Sequence, residues 1–348
     1  FKQKTAYEML RSLVGSEMCI RDRSYFQAAM SWMLERHGWR LEREWLLPSP
    51  GVVPSITLAI LAFSQPGDEV ILQPPVYYPF ARSVERNERT ALENPLVLAG
   101  DRYRMNLEAL ERRIGPRTRL AILCSPHNPV GRVWEREELL RFGELCLRRG
   151  LIILSDEIHA DLVLPGFRHL PLASLSSELA GFTVTFFSAT KSFNLAGLGG
   201  SLTVIPDPNL RSRFKSMKDR LWTGLANPFS VAAAEAAWRH GGPWLERLLA
   251  YIQDNWEFLV GFLAERLPAC RVMPLEGTYL AWIDFRGLGL TDRQLKERLL
   301  QKAGVWLDEG PMFGAGGSGF QRLNLACPRS TLRKALERIA GALNAKGG

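Results

Sequence analysis

The sequence predicts an α/β protein with a large, doubly wound, mostly parallel sheet domain and a smaller second α/β domain. Short apolar runs alternate with amphipathic helical segments along the chain, the pattern of strands and helices that build a parallel sheet. The stretch 243–267 is amphipathic over roughly 25 residues, long enough for one helix to connect two domains. We therefore expect a large domain at 25–245, with 25–45 near the small domain, and a small domain at 246–348.

Composition argues against several classes of function. The chain has 348 residues, of which 46% are hydrophobic and 23% are charged, as in soluble globular proteins. Its net charge of +8 is spread along predicted helices without a dense basic run, so nucleic-acid binding is not expected. No apolar run is as long as a membrane span, so no membrane partner is expected either.

The cysteines indicate the compartment. They are odd in number, scattered, and lack the spacing of a metal site. We therefore expect reduced thiols, a cytoplasmic location and no bound metal. The five are Cys19, Cys124, Cys146, Cys270 and Cys327.

Residues 1–24 fit nothing that follows them. They lack the apolar centre of a signal peptide, and residues 12–23 resemble a translated sequencing-adapter artefact. We expect this segment to be foreign to the fold or disordered. The alternative is a genuine N-terminal helix.

The secondary-structure elements are predicted from the spacing of apolar residues and from the turn residues that end helices and strands. Apolar runs bounded by turn residues predict strands at 45–47, 69–73, 120–124, 151–154, 183–187, 202–205, 279–283 and 320–325. Amphipathic spacing predicts helices at 25–38, 136–149, 228–240 and 243–267, a helix that ends at Phe63, one from Thr291 to Ala303 and a last one from Ser330. Thr291 and Gln294 form a capping box at the start of their helix.

Polar side chains follow four of the strands predicted in the first domain. Tyr77, Asn128, Asp156 and Lys191 each come shortly after a different apolar run. Open α/β sheets bind ligands at the carboxyl ends of their strands, so these side chains are expected to share one site. Each residue also has an alternative role without a ligand. Tyr77 could be a packed loop aromatic and Asn128 a turn residue, and Asp156 could cap a helix and Lys191 be a solvated loop lysine.

Lys191 and a turn near the start of the chain also favour a specific chemistry. Lys191 follows the buried run 183–187 among small hydroxyl residues, where desolvation would lower its pKa and free the amine as a nucleophile. The turn 48–54 feeds a helix N-terminus, whose N–H groups and dipole suit a phosphate. Most such turns bind nothing, so the turn alone is weak support.

Four motifs together resemble a known family. They are Ser-Pro-His-Asn-Pro-Val-Gly (125–131), Ser-Asp-Glu-Ile-His (155–159), Ser-Ala-Thr-Lys-Ser-Phe-Asn (188–194) and Arg-Leu-Asn-Leu-Ala-Cys-Pro-Arg (322–329). From about residue 25 onward the chain resembles fold-type I pyridoxal-phosphate enzymes of the class I/II aminotransferase family. It is most similar to the cystathionine β-lyase (MalY/PatB-like) branch.

The resemblance implies pyridoxal 5'-phosphate as the cofactor and three catalytic residues. Lys191 would form the Schiff base with the cofactor and shuttle a proton. Asp156 would keep the pyridine nitrogen protonated, so that the ring acts as an electron sink. Tyr77 would stack on the ring.

The resemblance also implies the binding residues. Asn128 and His159 would lie near the ring hydroxyl, and Arg322, with Asn128, would hold the α-carboxylate of the substrate. The phosphate would be held by backbone N–H groups of Gly51, Val52 and Val53 and by the Ser188 hydroxyl.

The resemblance implies a homodimer that acts on a small amino acid with a β-thioether or an amino group. It favours carbon–sulfur β-elimination to a thiol, pyruvate and ammonia. Transamination uses the same residues and stays open, as does a non-catalytic regulatory binding protein with this fold. Two departures stand out. Residues 195–200 lack the phosphate-binding arginine of many aminotransferases, and residues 1–24 do not match the family's N-terminal arm.

Overall fold

The computed structural model describes residues 23–223 and 227–344. Residues 23–37 are helical, and this helix is called α1. Of the segment expected to be foreign, only residues 23 and 24 are described, and both lie in α1. The expectation for residues 1–22 concerns positions outside the described residues, and the boundary near residue 246 stays a prediction.

Thirteen strands are defined within the described residues. They are β1 (Leu46–Ser49), β2 (Glu69–Leu72), β3 (Thr90–Glu93), β4 (Val97–Ala99), β5 (Arg102–Arg104), β6 (Thr118–Cys124), β7 (Ile152–Asp156), β8 (Thr183–Phe187), β9 (Ser201–Val204), β10 (Arg271–Val272), β11 (Leu280–Asp284), β12 (Asp308–Glu309) and β13 (Phe320–Asn324).

Eleven α-helices follow α1 in the described part of the chain. They are α2 (Val52–Phe63), α3 (Pro79–Glu85), α4 (Leu107–Arg113), α5 (Arg136–Arg148), α6 (Ser177–Phe182), α7 (Ala189–Ser192), α8 (Pro208–Arg220), α9 (Pro228–His240), α10 (Gly242–Arg266), α11 (Asp292–Lys296) and α12 (Arg329–Asn344). A π-helical segment, Glu297–Lys302, continues α11. Among the described residues, no helix is both long and apolar enough to span a membrane.

Seven strands form the large sheet in the order β1-β9-β8-β7-β6-β2-β3. Neighbouring strands from β3 across to β8 are parallel, and β9 runs antiparallel to both β8 and β1. All five residues of β8 are buried, which a parallel strand covered on both faces requires. The predicted doubly wound, mostly parallel sheet is therefore confirmed.

Helices cover both faces of this sheet. On one face α2, α3 and α8 pack with alternate residues of the strands, including Val70 and Phe186. On the other face α4, α5 and α6 pack against the remaining alternate residues, including Ile71 and Ile153. Since connections of this kind run over the faces, the carboxyl ends of β6, β7 and β8 stay open for a ligand.

The second sheet is antiparallel and has the order β10-β11-β13-β12. The central strand β11 alternates between two cores. Ala281 and Ile283 pack with residues of α10 and α12, whereas Trp282 points to the opposite core and stacks on Phe320 with ring centroids 5.1 Å apart. This alternation follows from the two-residue period of a strand and fixes the face that Arg322 of β13 presents.

The expected elements match the structure within a few residues, but short or polar elements were missed. Strands β3, β4, β5, β10 and β12 contain two to four residues, too few for a periodic signal. Helix α8 is largely polar, and its N-terminal signal is Asp207 before Pro208, where the Asp207 side chain accepts from Leu210 N at 2.8 Å.

Candidate active site

The residues expected at strand ends line one cavity of about 430 Å³. It opens where β6, β7 and β8 end, and β13 faces it from the second sheet. Six of the predicted side chains line it, namely Tyr77, Asn128, Asp156, His159, Lys191 and Arg322. Within the described residues, no group of His, Cys, Asp and Glu could hold a metal ion. The cavity therefore combines an amine, a carboxyl, a phenol and a guanidinium.

Lys191 lies in the short helix α7, directly after β8. Ser188 caps this helix by accepting from Thr190 N at 3.1 Å. Burial lowers the pKa of Lys191, and the positive charge of Arg322 lowers it further, against an opposing effect of Asp156. A larger fraction of the amine is therefore neutral at neutral pH than for a solvated lysine, which is what a nucleophile needs.

Asp156 is the last residue of β7 and is almost fully buried. Burial raises the pKa of its carboxyl to about 7, with a smaller contribution from the charge of Glu157. One backbone group, Ile158 N, donates to Asp156 Oδ1 at 3.1 Å. A carboxylate with so few donors is unstable in a buried site, and a nearby cation would favour its charged form.

Arg322 is held from two sides. Its Nη1 donates to Asn128 Oδ1 at 2.8 Å, and its Nε and Nη2 donate to Asp308 Oδ2 at 3.1 and 2.5 Å. Asn128 follows β6 in the segment with cis peptide bonds before Pro126 and Pro129. The large sheet and the second sheet thus meet across the cavity through a hydrogen bond between Asn128 and Arg322.

His159 and Tyr77 complete the wall around Asp156 and Lys191. Burial lowers the pKa of His159 to about 3, and the charges of Lys191 and Arg322 act in the same direction, so the imidazole is neutral. Burial also raises the pKa of the Tyr77 phenol, which keeps it protonated. The His159 ring meets the ring of Tyr279 edge-on at 5.7 Å.

Another part of the cavity wall is the N-terminus of α2. Gly51 is its N-cap, and Val52 and Val53 are the first two helical residues. The N–H groups of a first helical turn have no partner within the helix, and Pro54 at the third position has no N–H. Three donors, at Gly51, Val52 and Val53, therefore remain to serve an anion in this part of the cavity.

A glycine pair closes the same end of the cavity. Gly199 and Gly200 both have left-handed φ angles, +69° and +89°, and Gly200 N donates to Pro50 O at 2.8 Å. A Cβ on Gly199 would lie 3.0 Å from Pro50 O, and one on Gly200 would lie 2.0 Å from Ser230 Oγ. Only glycine allows this loop to approach the turn before α2 so closely.

The structure places Ser188 differently from the other predicted residues. Its side chain is nearly buried and does not line the cavity. Its hydroxyl lies 2.7 Å from Gly200 O and 2.9 Å from Thr190 Oγ1, and it accepts from Thr190 N. The hydroxyl thus caps α7 and anchors the glycine loop, and contact with a phosphate stays a prediction. Thr190 itself lines the cavity.

Besides Thr190, sequence reasoning missed three lining residues with a phenol, carboxyl or amide side chain: Tyr279, Asp308 and Asn324. Asn324 has a sequence signal, since it shares a strand face with Arg322. Tyr279 directly precedes β11. Asp308 lies opposite Arg322 in the sheet register, but its strand has only two residues, too short to be recognised from sequence.

The sequence model of the protein family described as aminotransferase class I and II matches residues 22–339 of this chain. Cystathionine beta-lyase PatB of Bacillus subtilis (strain 168) is 45% identical over 324 residues, covering 93% of this chain and 84% of PatB. Protein MalY of Escherichia coli (strain K12) is 32% identical and covers 92% of this chain and 81% of its own length.

A solved structure is similar over the same range. Cystalysin from Treponema denticola, whose crystal structure contains pyridoxal 5'-phosphate, superposes with a TM-score of 0.90 at 37% identity. The match covers 92% of this chain and 82% of cystalysin. Both the sequence, over most of its length, and the fold are therefore similar to those of this group of proteins.

Proposed function

The chain belongs to the class I and II aminotransferase family, and from that premise we propose that it is a pyridoxal-phosphate-dependent carbon–sulfur β-lyase. The reaction breaks the Cβ–S bond of an amino acid such as L-cystathionine and consumes one water. It yields the thiol, pyruvate and ammonia. PatB is named as a cystathionine beta-lyase and is 45% identical over most of both chains, and this favours elimination over transamination.

One observation carries the proposal. A partly desolvated lysine and a buried carboxyl face the same cavity from the ends of the adjacent strands β8 and β7. The neutral amine of Lys191 suits an aldehyde, and the carboxyl of Asp156 suits a pyridinium N–H. The donors at Gly51, Val52 and Val53 suit a phosphate at the other end of the cavity. These three features fit pyridoxal phosphate, which supplies an electron sink for cleavage at the α-carbon when bound.

The residues of the chain would share the remaining work. Lys191 would hold the cofactor and then take the proton from the substrate α-carbon, because its pKa is lowered by burial and by Arg322. Asp156 would hold a proton at the pyridine nitrogen. Tyr77 would pack on the ring face, and Asn128 with the neutral His159 would hydrogen-bond near the ring hydroxyl.

Arg322 would bind the substrate α-carboxylate. Asp308 and Asn128 already fix the plane of its guanidinium, so binding requires little further ordering of this side chain. A guanidinium presents five N–H groups, and the contacts described here engage three of them. The other two are free to pair with the carboxylate in a charge-assisted contact.

We also propose a cytoplasmic homodimer, as the family resemblance implies. The four cysteines of the described residues, Cys124, Cys146, Cys270 and Cys327, are free thiols, which suits a reducing compartment. Sedimentation of the purified protein tests the dimer, and a stable monomer with full activity would contradict it.

The deciding experiment measures pyruvate release from L-cystathionine with pyridoxal phosphate present and no 2-oxo acid added. A β-lyase forms pyruvate and thiol in equal amounts under these conditions, whereas an aminotransferase needs an acceptor. Lys191→Ala should reduce the rate by at least about a thousandfold. No pyruvate from L-cystathionine, together with conversion of an added 2-oxo acid to its amino acid, would identify the protein as an aminotransferase instead.

A further inference from the structure

Asp308 is a charged residue of the cavity wall to which the proposed reaction assigns no direct contact with the cofactor or the substrate. It lies on β12 directly opposite Arg322 in the sheet register, and its carboxylate accepts from Arg322 Nε and Nη2. The Asp308 side chain is 42% exposed, whereas that of Arg322 is 12% exposed. The ion pair is therefore more exposed on the Asp308 side than on the Arg322 side.

The charged residues that line the cavity can be compared with the charged groups of the cofactor and the substrate that they would bind. The formally charged residues that line it are Lys191, Arg322, Asp156 and Asp308. On the proposed function, the cofactor engages Lys191 and Asp156, and the substrate α-carboxylate engages Arg322. Two carboxylates, one from the substrate and one from Asp308, would then share the single positive charge of Arg322. This side of the cavity is left negative, next to the place where the substrate side chain begins.

We propose that Asp308 determines specificity by favouring substrates whose sulfur substituent carries an ammonium group and disfavouring those that carry only a carboxylate. This inference rests on the proposed function, since it concerns the leaving group of that reaction. Specificity arises as much from repulsion of the wrong ligand as from attraction of the right one. A carboxylate near Asp308 meets a like charge in a partly desolvated site, where the interaction is stronger than in water.

A simpler role for Asp308 would be to hold Arg322 in place. In that case its removal would weaken binding of every substrate by the same factor, because all of them carry the α-carboxylate. A specificity role predicts instead that the change depends on the charge of the sulfur substituent. The ratio of kcat/KM values between substrates of different charge separates the two roles.

Three S-substituted cysteines of similar size provide the probes: S-(2-aminoethyl)-L-cysteine, S-propyl-L-cysteine and S-(carboxymethyl)-L-cysteine. Pyruvate release gives kcat/KM for each. We expect the wild-type protein to prefer the aminoethyl over the carboxymethyl compound, and Asp308→Asn to reduce that preference about tenfold. The asparagine keeps the size of the side chain and an oxygen that can accept from Arg322, so its main effect is removal of the charge.

Glu309→Gln is the matched control. It removes the charge of the next residue, which pairs with Lys296 at 2.7 Å and does not line this cavity, so the ratio should stay within about twofold of wild type. An unchanged ratio in Asp308→Asn, with a uniform loss for all three compounds, would overturn the specificity role. So would a wild-type preference for the carboxymethyl compound, a result that needs no variant. Absence of pyruvate from all three compounds and from L-cystathionine would overturn the proposed function itself.

Discussion

Asp156 and Asp161 are buried carboxyls five residues apart, yet their surroundings move their pKa values in opposite directions. Burial raises the pKa of Asp156 to about 7, because one backbone N–H is its only hydrogen-bond donor among the described residues. Burial acts on Asp161 too, but hydrogen bonds from His37, Ser192 and Trp32 outweigh it and lower the pKa. Depth of burial alone therefore does not decide the charge of a carboxyl, because its hydrogen-bond donors and the charges near it also shift its pKa.

The difference separates a structural carboxylate from one that is ready for a ligand. Asp161 Oδ1 lies 2.8 Å from His37 Nε2 and accepts from Trp32 Nε1 at 2.9 Å, which ties α1 to the segment that follows β7. Its Oδ2 accepts from Ser192 Oγ at 2.7 Å, directly beside Lys191. Three side chains donate hydrogen bonds to Asp161, whereas the described residues give Asp156 one backbone donor and the opposing charge of Lys191, which does not outweigh burial. This contrast is the physical reason for assigning only Asp156 to the cofactor.

The largest expected effect is on turnover. Asp156→Asn should lower kcat with L-cystathionine about a thousandfold, because an amide cannot stabilise a protonated ring nitrogen in the transition state. The affinity for pyridoxal phosphate should fall much less, since the phosphate and Lys191 still hold it. Steady-state kinetics and a cofactor titration measure both quantities. An unchanged kcat would remove Asp156 from the mechanism and erase its distinction from Asp161.

The next effect is on stability. Asp161→Ala should lower the free energy of unfolding by about 3 kcal/mol, because the donors of His37, Trp32 and Ser192 lose their buried acceptor. Urea unfolding measures this loss. Asp254→Ala, at an exposed site on α10, is the control and should change stability by less than about 0.5 kcal/mol. Equal effects of the two substitutions would show that the Asp161 hydrogen bonds contribute no net stability.

The pH dependence of the cofactor-free protein sharpens the same contrast. The folded pKa of Asp156, about 7, lies above its ordinary value of 3.8, so the folded state binds the extra proton between these two values. This contribution to stability is complete below pH 3.8 and is lost as the pH rises toward 7. Relative to Asp156→Asn, which does not titrate, wild type should lose about 2 kcal/mol between pH 5 and 7. Parallel stability curves for the two proteins would contradict the raised pKa.

A smaller effect is expected at Arg322, whose carboxylate partner Asp308 is half exposed rather than buried. Arg322→Lys keeps the charge but loses the planar fork, so KM for L-cystathionine should rise at least about tenfold, roughly 1.4 kcal/mol. Arg329→Lys is the matched control, since Arg329 bonds to Asn255 Oδ1 and does not line the cavity. A KM for Arg322→Lys equal to that of the control would exclude a carboxylate-binding role.

The architecture could be predicted from local patterns of the sequence, and strand ends together with the family motifs predicted nine of the residues that line the cavity. Asp156 stands out since a carboxyl two residues after a run of four apolar residues needs a partner. The Asp161 hydrogen bonds could not be predicted, because Trp32 and His37 are 129 and 124 residues away along the chain. Ser188 differs again: its motif predicts a phosphate contact, which stays a prediction, and the structure adds a role as a helix cap that the motif did not indicate. Asp308 was missed because pairing across a two-residue strand has no signature in the sequence.

Lys191 lies near both carboxyl groups in the chain or in space. It lines the same cavity as Asp156, and the next residue, Ser192, donates a hydrogen bond to Asp161. The most direct test of the account is therefore to treat the protein with pyridoxal phosphate and borohydride, digest it and map the modified peptide by mass spectrometry. We expect a phosphopyridoxyl group on Lys191 and none in Lys191→Ala. Modification of a different lysine, or a modification that persists in Lys191→Ala, would contradict it.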